Sequence, residues 1–381
     1  MPTDQPRARD LLTLPGRPGP HNAITDVPGV TVGLETLVSG TAVRTGVTAI
    51  LPRGRDGVGE PCAAASYSLN GNGELTGTTW IEESGALTMP VLLSNTHAVG
   101  ACHTGVVEWV NEVHPRLAAQ WLLPVCGETW DGYLNDINGG HVRPEHARAA
   151  LDAATAGPVP EGSVGGGTGM NCYAFKGGTG SASREVDFAG TTYTVGVLVQ
   201  ANFGDRRELV VAGTPIGQVL GEDNPMEDSG WFVRDLGLAA PASSGTLPGG
   251  AGSVIVVVAT DAPLLPHQCK ALARRVPLGL ARTGTAGGHF SGDIFLAFST
   301  APAPGLRSQL YPPPTELAEQ QVLPWGAIDP FYTAVVEAVE ESVLNALVVN
   351  EEMVGRDGHR TPALPHAALA DLPAALTARG R

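Results

Sequence analysis

The run Ser253-Val-Ile-Val-Val-Val-Ala-Thr260 constrains this chain more than any other segment. It is too uniformly apolar for a strand with one wet face, so it predicts a central strand covered on both faces. Immediately before it lies Pro241-Ala-Ser-Ser-Gly-Thr-Leu-Pro-Gly-Gly-Ala-Gly252, whose glycines can adopt positive φ and strained turns. A hydroxyl residue set between flexible glycines and a buried strand has the layout of an N-terminal nucleophile released by self-cleavage. Gly252 would supply the carbonyl and Ser253 the attacking hydroxyl. The new α-amine, with a pKa of about 7.7–8.0, would then serve as general base. A glycine-rich loop that merely enters a core strand fits the same pattern, and the junction alone does not separate the two.

The flanking sequence supplies the other elements. Residues 1–28 are proline-rich and polar and predict an extended arm. Val30 to Leu51 predicts a hairpin, and Ala63 to Glu74 is small and polar, ending in the turn cluster Asn70-Gly-Asn-Gly73. Helical spacing places a helix near His103–His114 and another from Pro144 to Ala154. Met170 to Gln200, punctuated by Gly177-Gly178 and Ala189-Gly190, reads as an antiparallel meander. A helix over Pro266–Ala281, a strand over Asp293–Phe298 and a long amphipathic helix over Ile328–Val349 follow, with a loosely specified tail from Ala363. Strands bunched with helices on both flanks predict a layered α/β sandwich in a single domain spanning residues 1–381.

A formal charge of −15 argues against a nucleic-acid partner or an anionic membrane surface. No run reaches membrane-spanning length, and the N-terminus lacks a secretory pattern. Five widely spaced cysteines without a Cys-x-x-Cys pair predict reduced thiols and a cytoplasmic location. His141 and His146 are not at helical metal spacing, so neither a metal nor a cofactor is expected.

Several segments together resemble the DmpA-type aminopeptidases, the family of L-aminopeptidase/D-esterases and β-peptidyl aminopeptidases. They are Gly252 to His267, Glu128-Thr-Trp-Asp-Gly132, Val164-Gly-Gly-Gly-Thr-Gly-Met170, Val199-Gln-Ala-Asn-Phe-Gly204, Ser291-Gly-Asp-Ile-Phe-Leu-Ala-Phe-Ser299 and Asn350 to Arg360. The matches run in order from about Asn22 to Arg360. The resemblance implies a four-layer αββα sandwich, similar to N-terminal-nucleophile hydrolases but with its own DmpA-type topology. It also implies autoprocessing into an α chain, 1–252, and a β chain, 253–381, assembled as tetramers or larger oligomers of αβ pairs.

The same resemblance assigns candidate roles. Ser253 is the nucleophile, and Ser291 with Asp293 is a relay that shares its activation with the α-amine. Many relatives carry glutamate where this chain has Asp293, one methylene shorter, which puts its reach in question. Asn202, at the end of an apolar strand, is the oxyanion donor; an asparagine tolerating turn geometry before Gly204 is the plainer reading. Glu128 binds the substrate's amino group, with Asp131 as a competitor. Trp130 stands where some relatives have a tyrosine, and Tyr133 is a substitute for that hydroxyl. The glycines at 165–169 resemble a dinucleotide loop, but a strand-like segment follows them, so a glycine wall beside the site is expected instead. The expected substrates are short peptides, amino-acid amides or esters. An acyltransferase of the ornithine-acetyltransferase architecture, which uses threonine at the junction, and an unprocessed binding scaffold are the alternatives.

Overall fold

The computed structural model describes residues 5–227, 230–238, 252–308, 312, 314–370 and 372. The glycine-rich stretch 241–251 and most of the C-terminal tail lie outside them. In chain order the strands that build the sandwich and its cleft are β1 (Thr31–Ser39), β2 (Val43–Leu51), β3 (Cys62–Gly71), β4 (Ala86–Leu87), β5 (Val91–Asn95), β6 (Val125–Thr129), β7 (Asn171–Cys172), β8 (Phe175–Lys176), β9 (Gly178–Phe188), β10 (Thr191–Asn202), β11 (Ser253–Thr260) and β12 (Gly292–Ser299). They form a four-stranded sheet, β1-β2-β5-β6, and a six-stranded sheet, β4-β3-β12-β11-β10-β9, with β7 and β8 as a separate small hairpin.

The apolar residues sort into layers by the period-two alternation of strand side chains. Ile255, Val257 and Ala259 of β11 meet Leu93 and Val125 of the smaller sheet, together with Leu198 and Leu296. Val254, Val256 and Val258 face the other way, onto Val335, Val339 and Val343 of the Asp329–Val348 helix. The outer face of the smaller sheet packs Val47, Ala49 and Leu92 against Val106, Trp109 and Ala150, carried by helices Val99–Val113 and Pro144–Asp152. The result is helix, sheet, sheet, helix: the four-layer αββα sandwich that the resemblance implies. Every residue of β11 is buried, as its composition requires. It lies between β10, antiparallel, and β12, parallel.

Several local expectations change. The helix expected over Pro266–Ala281 is two, Pro266–Ala273 and Val276–Arg282, because Pro277 has no N–H to continue the first and is favoured at the start of the second. The arm 1–28 is not simply extended: it forms a turn of helix at Ala8–Leu11 and docks, with Ala8 and Ile24 fully buried. The stretch from Ala63 is strand β3 despite its alanines, because pairing with β12 overrides weak strand propensity.

The Gly165–Gly167 turn is a packing wedge rather than a wall of the cleft. A Cβ on Gly166 would sit 2.2 Å from Gln200 Oε1, and one on Gly167 would sit 2.2 Å from the Thr179 backbone nitrogen. His146 Nδ1 accepts the Arg143 N–H at 3.0 Å, which makes it a helix cap. All five cysteines are unpaired and buried. Among the described residues no helix is long and apolar enough to cross a membrane, and no cluster of three metal-ligating side chains occurs.

Candidate active site

Strand register brings the nucleophile and the oxyanion candidate together. Ser253 shares its face of β11 with Ile255, so its side chain points between the two sheets. Asn202 is its direct cross-strand partner on β10, and directly opposed residues project to the same side. The Asn202 amide is fixed at both ends: Oδ1 accepts the Asn171 N–H at 2.9 Å, and Nδ2 donates to the Trp130 carbonyl at 2.9 Å. A primary amide carries two N–H groups. One is spent on Trp130, and the other is the candidate donor to developing charge.

On the other side Ser253 pairs in parallel with Gly292. The Gly292 N–H lies 3.3 Å from the Gly252 carbonyl oxygen and 3.4 Å from Ser253 Oγ, so one donor addresses both atoms of the proposed self-cleavage step. Close packing dictates both glycines. A Cβ on Gly252 would meet the Asn202 carbonyl at 2.1 Å, and one on Gly292 would meet the Asn72 carbonyl at 2.4 Å.

Ser291 and Asp293 are brought to each other. The Ser291 hydroxyl donates to Asp293 Oδ1, and Asn70 Nδ2 donates to Oδ2 at 2.8 Å. The shorter aspartate therefore does reach the serine. Burial pushes the Asp293 carboxyl up, against these hydrogen bonds and one from the Val254 amide. The Ser253 hydroxyl is not bonded to either member of the pair; its neighbour is the Gly292 amide.

Glu128 sits at the end of β6, where the smaller sheet approaches β11. Its Oε1 accepts the Glu74 N–H at 3.0 Å, and its Oε2 accepts the Thr96 hydroxyl. Only 2 % of Glu128 is exposed, and burial pushes its carboxyl above the ordinary range. Among the described residues no cation forms an ion pair with it. Glu128, Trp130, Asn202 and Ser253 all line one cleft of about 690 Å³, whose apolar side is made by Met226, Trp231, Phe232 and Phe290. That volume suits a small ligand, and an unpaired buried anion in its wall suits a cationic group.

The remaining candidates lie behind this surface. Asp131 is fully buried: Oδ1 accepts Asn135 Nδ2 at 3.0 Å, Oδ2 has no partner, and burial pushes the carboxyl up to about 7. The Tyr133 hydroxyl donates to the Arg360 carbonyl at 3.2 Å while its ring stacks on His359. Neither residue lines the cleft. Trp130 does, stacked on Trp231 with ring centroids 6.3 Å apart.

Sequence reasoning did not single out Thr96, Asn70, Asn171 or Gly292. Asn70 fell within a recognised turn cluster and Gly292 within a quoted motif. Thr96 and Asn171 carry no local signal, because their roles arise only when distant segments meet.

Comparison with known proteins agrees with this geometry. The sequence profile of peptidase family S58 matches residues 22–361. The chain is 47% identical over 373 residues to the β-peptidyl aminopeptidase BapA of Sphingosinicella microcystinivorans, covering 96% of this chain and 91% of that one. Its fold is similar to the L-aminopeptidase D-Ala-esterase/amidase of Ochrobactrum anthropi, described as a prototype for the serine aminopeptidases and a variant of the Ntn-hydrolase fold. The TM-score is 0.84 at 43% identity, over 96% of this chain and 97% of that one. A Burkholderia β-aminopeptidase matches with a TM-score of 0.83 at 43% identity, over 96% and 98%. The chain belongs to peptidase family S58 and is a serine aminopeptidase with the Ntn-hydrolase-like fold of that family.

Proposed function

We propose that the chain cleaves itself between Gly252 and Ser253 and then acts as an N-terminal serine aminopeptidase through an acyl-enzyme. In the precursor, Ser253 Oγ attacks the Gly252 carbonyl carbon and the C–N bond breaks. The Gly252 acyl group passes to the oxygen, and the freed nitrogen takes up the hydroxyl's proton. Water then hydrolyses this ester, leaving a Gly252 carboxylate on an α chain of residues 1–252 and a Ser253 α-amine on a β chain of residues 253–381. Support comes from the Gly252 carbonyl and Ser253 Oγ sharing one backbone donor, Gly292 N–H.

In the mature enzyme the α-amine, assisted by Ser291 and Asp293, takes the Ser253 proton as the hydroxyl attacks the substrate carbonyl. Asn202 Nδ2 donates to the oxyanion. Collapse expels the leaving amine or alcohol with a proton and leaves an acyl ester, which water hydrolyses. The substrates are short peptides, amino-acid amides and esters. The relatives' names extend these to β-residues and to D-alanine esters. The working particle is a homo-oligomer of αβ pairs, tetrameric or larger. Serine at position 253 supports this reading over the acyltransferase, whose architecture uses threonine at the junction.

The observation that carries the aminopeptidase reading is the buried Glu128 carboxyl in the cleft wall, which no cation among the described residues pairs and only His97 attracts from a distance. A substrate ammonium would supply the missing countercharge, and breaking such a buried pair costs about 3–5 kcal/mol. Kinetics on an amino-acid p-nitroanilide and its N-acetyl form test this. The native enzyme should prefer the free amine, and Glu128→Gln should narrow the gap by losing activity on it. A native preference for the acetylated substrate would make the enzyme an acylase or acyltransferase instead.

A further inference from the structure

Beside the cleft, β7 and β8 close a hairpin through Tyr173 and Ala174, both in left-handed backbone (φ 53° and 54°), a costly conformation for residues with a Cβ. Two buried cations hold it, and among the described residues neither has a carboxylate partner. Arg206 donates to the Tyr173 carbonyl at 2.9 Å and to the Ala174 carbonyl at 2.5 Å. Lys176, with no exposed surface, donates from Nζ to the Met170 carbonyl at 2.7 Å and to the Gly177 carbonyl at 2.8 Å.

The Met170 carbonyl belongs to the peptide unit whose N–H, on Asn171, donates to Asn202 Oδ1. Lys176 Nζ, the Met170–Asn171 peptide and the Asn202 amide thus form one chain of donors and acceptors ending on Asn202 Nδ2. Each hydrogen bond in such a chain polarises the next, and a charged donor at its head strengthens the effect. We propose that Lys176 is a positioning residue for turnover: through the Met170–Asn171 peptide it fixes Asn202 and makes its N–H a stronger donor to the oxyanion.

The fold does not need this lysine to close the hairpin. The Gly177 N–H already donates to the Met170 carbonyl at 3.0 Å, β7 and β8 pair through their backbones, and Asn350 Nδ2 ties down the Lys176 and Gly177 carbonyls at 3.1 and 2.9 Å. An apolar side chain would fill the space at lower cost than an ammonium held only by carbonyls. Burial indeed holds the Lys176 ammonium down at about 7, against the pull of Cys172 and of Asp131.

The inference rests on the oxyanion role of Asn202, and a double-mutant cycle separates the two. Lys176→Met, Lys176→Arg and Asn202→Ala are assayed alone, and Lys176→Met is also combined with Asn202→Ala, on an amino-acid p-nitroanilide, with melting curves to verify folding. Lys176→Met should lower kcat about 10–30-fold, part of the 10²–10³-fold typical for losing the donor itself, with KM changed less than about threefold. Lys176→Arg should restore most of the loss. In the Asn202→Ala background Lys176→Met should cost less than about threefold more. Where Lys176→Met does not fold, Lys176→Gln, which keeps a neutral donor but loses the charge, should still lower kcat, by less than the about 10–30-fold expected for Met, and an unchanged kcat in it counts against the role. Unchanged kcat, a loss confined to KM, or a full multiplicative loss on top of Asn202→Ala overturns the Lys176 role. An inert Asn202→Ala instead overturns the oxyanion reading on which it rests.

Discussion

Buried charge is treated in opposite ways on the two sides of the six-stranded sheet. On the side of the Asp329–Val348 helix it is matched. Arg184 Nη2 and Arg9 Nε lie 2.6 and 2.8 Å from the Glu341 carboxylate, with Asn22 donating to the same group, and Arg7 pairs with Glu161 at 2.7 Å. At the open end of β11 it is not matched. Glu128, Asp131, Asp293, Lys176 and Arg206 are all buried, and none forms an ion pair among the described residues. Burial raises the three carboxyls and lowers the two cations. Matched charges join segments distant in sequence: Arg9 and Arg184 to Glu341, across the proposed chain break, and Arg7 to Glu161 within the proposed α chain. Of the unmatched charges, Glu128 and Arg206 line the cleft, where a ligand can supply the counterpart, and the others lie behind it.

Substitutions on the two sides should therefore fail differently. The largest effect belongs to Ser253→Ala, which should leave a folded, uncleaved chain with activity down by on the order of 10⁴-fold or more. Appreciable processing in a clean preparation would mean a second nucleophile. Glu341→Gln, on the matched side, should lower stability by removing the partner of Arg9 and one of the two carboxylates at buried Arg184, which keeps Glu337 at 3.4 Å, read as a lowered denaturant midpoint. Its kcat per folded molecule should stay native; a kcat loss at full stability would dissolve the contrast.

Asn202→Ala should lower kcat by about 10²–10³ with KM nearly intact. An effect confined to KM would move Asn202 out of the oxyanion role.

The smallest effect separates the two sides by pH. The Asp131 carboxyl is pushed from 3.8 up to about 7 in the folded protein, so between these values the folded state holds a proton that the unfolded chain has lost. Its penalty is absent below about pH 4, grows as pH rises towards 7, and is constant above. Asp131→Asn should remove that slope, so its gain over the native chain should be larger at pH 8 than at pH 5 by about 2–3 kcal/mol. Urea midpoints at both pH values check this, and an equal difference at the two would assign Asp131 a counterion.

The central strand was legible because its apolar uniformity admits one environment, and β11 is buried throughout. The quoted motifs located the cleft residues, since Ser253 opens an apolar strand, Asn202 closes one and Glu128 stands one residue before the end of another. Asp131 and Tyr133 were grouped with Glu128 by proximity in sequence, but the chain leaves β6 after Thr129 and buries both behind the cleft. The glycines at 165–169 looked like a cleft wall, yet their size is set by Gln200 and Thr179 from β10 and β9. Strands β5 and β6 were not read, because short segments take their meaning from partners far along the chain, whereas the Lys176 hairpin falls inside the meander read over Met170–Gln200.

The claim that Ser253 becomes an N-terminal nucleophile is tested most directly by intact-mass analysis and N-terminal sequencing of the purified, active protein. The account predicts two fragments, residues 1–252 and 253–381, the smaller beginning Ser-Val-Ile-Val-Val. A single uncut chain with full activity, or a fragment with any other start, would contradict it.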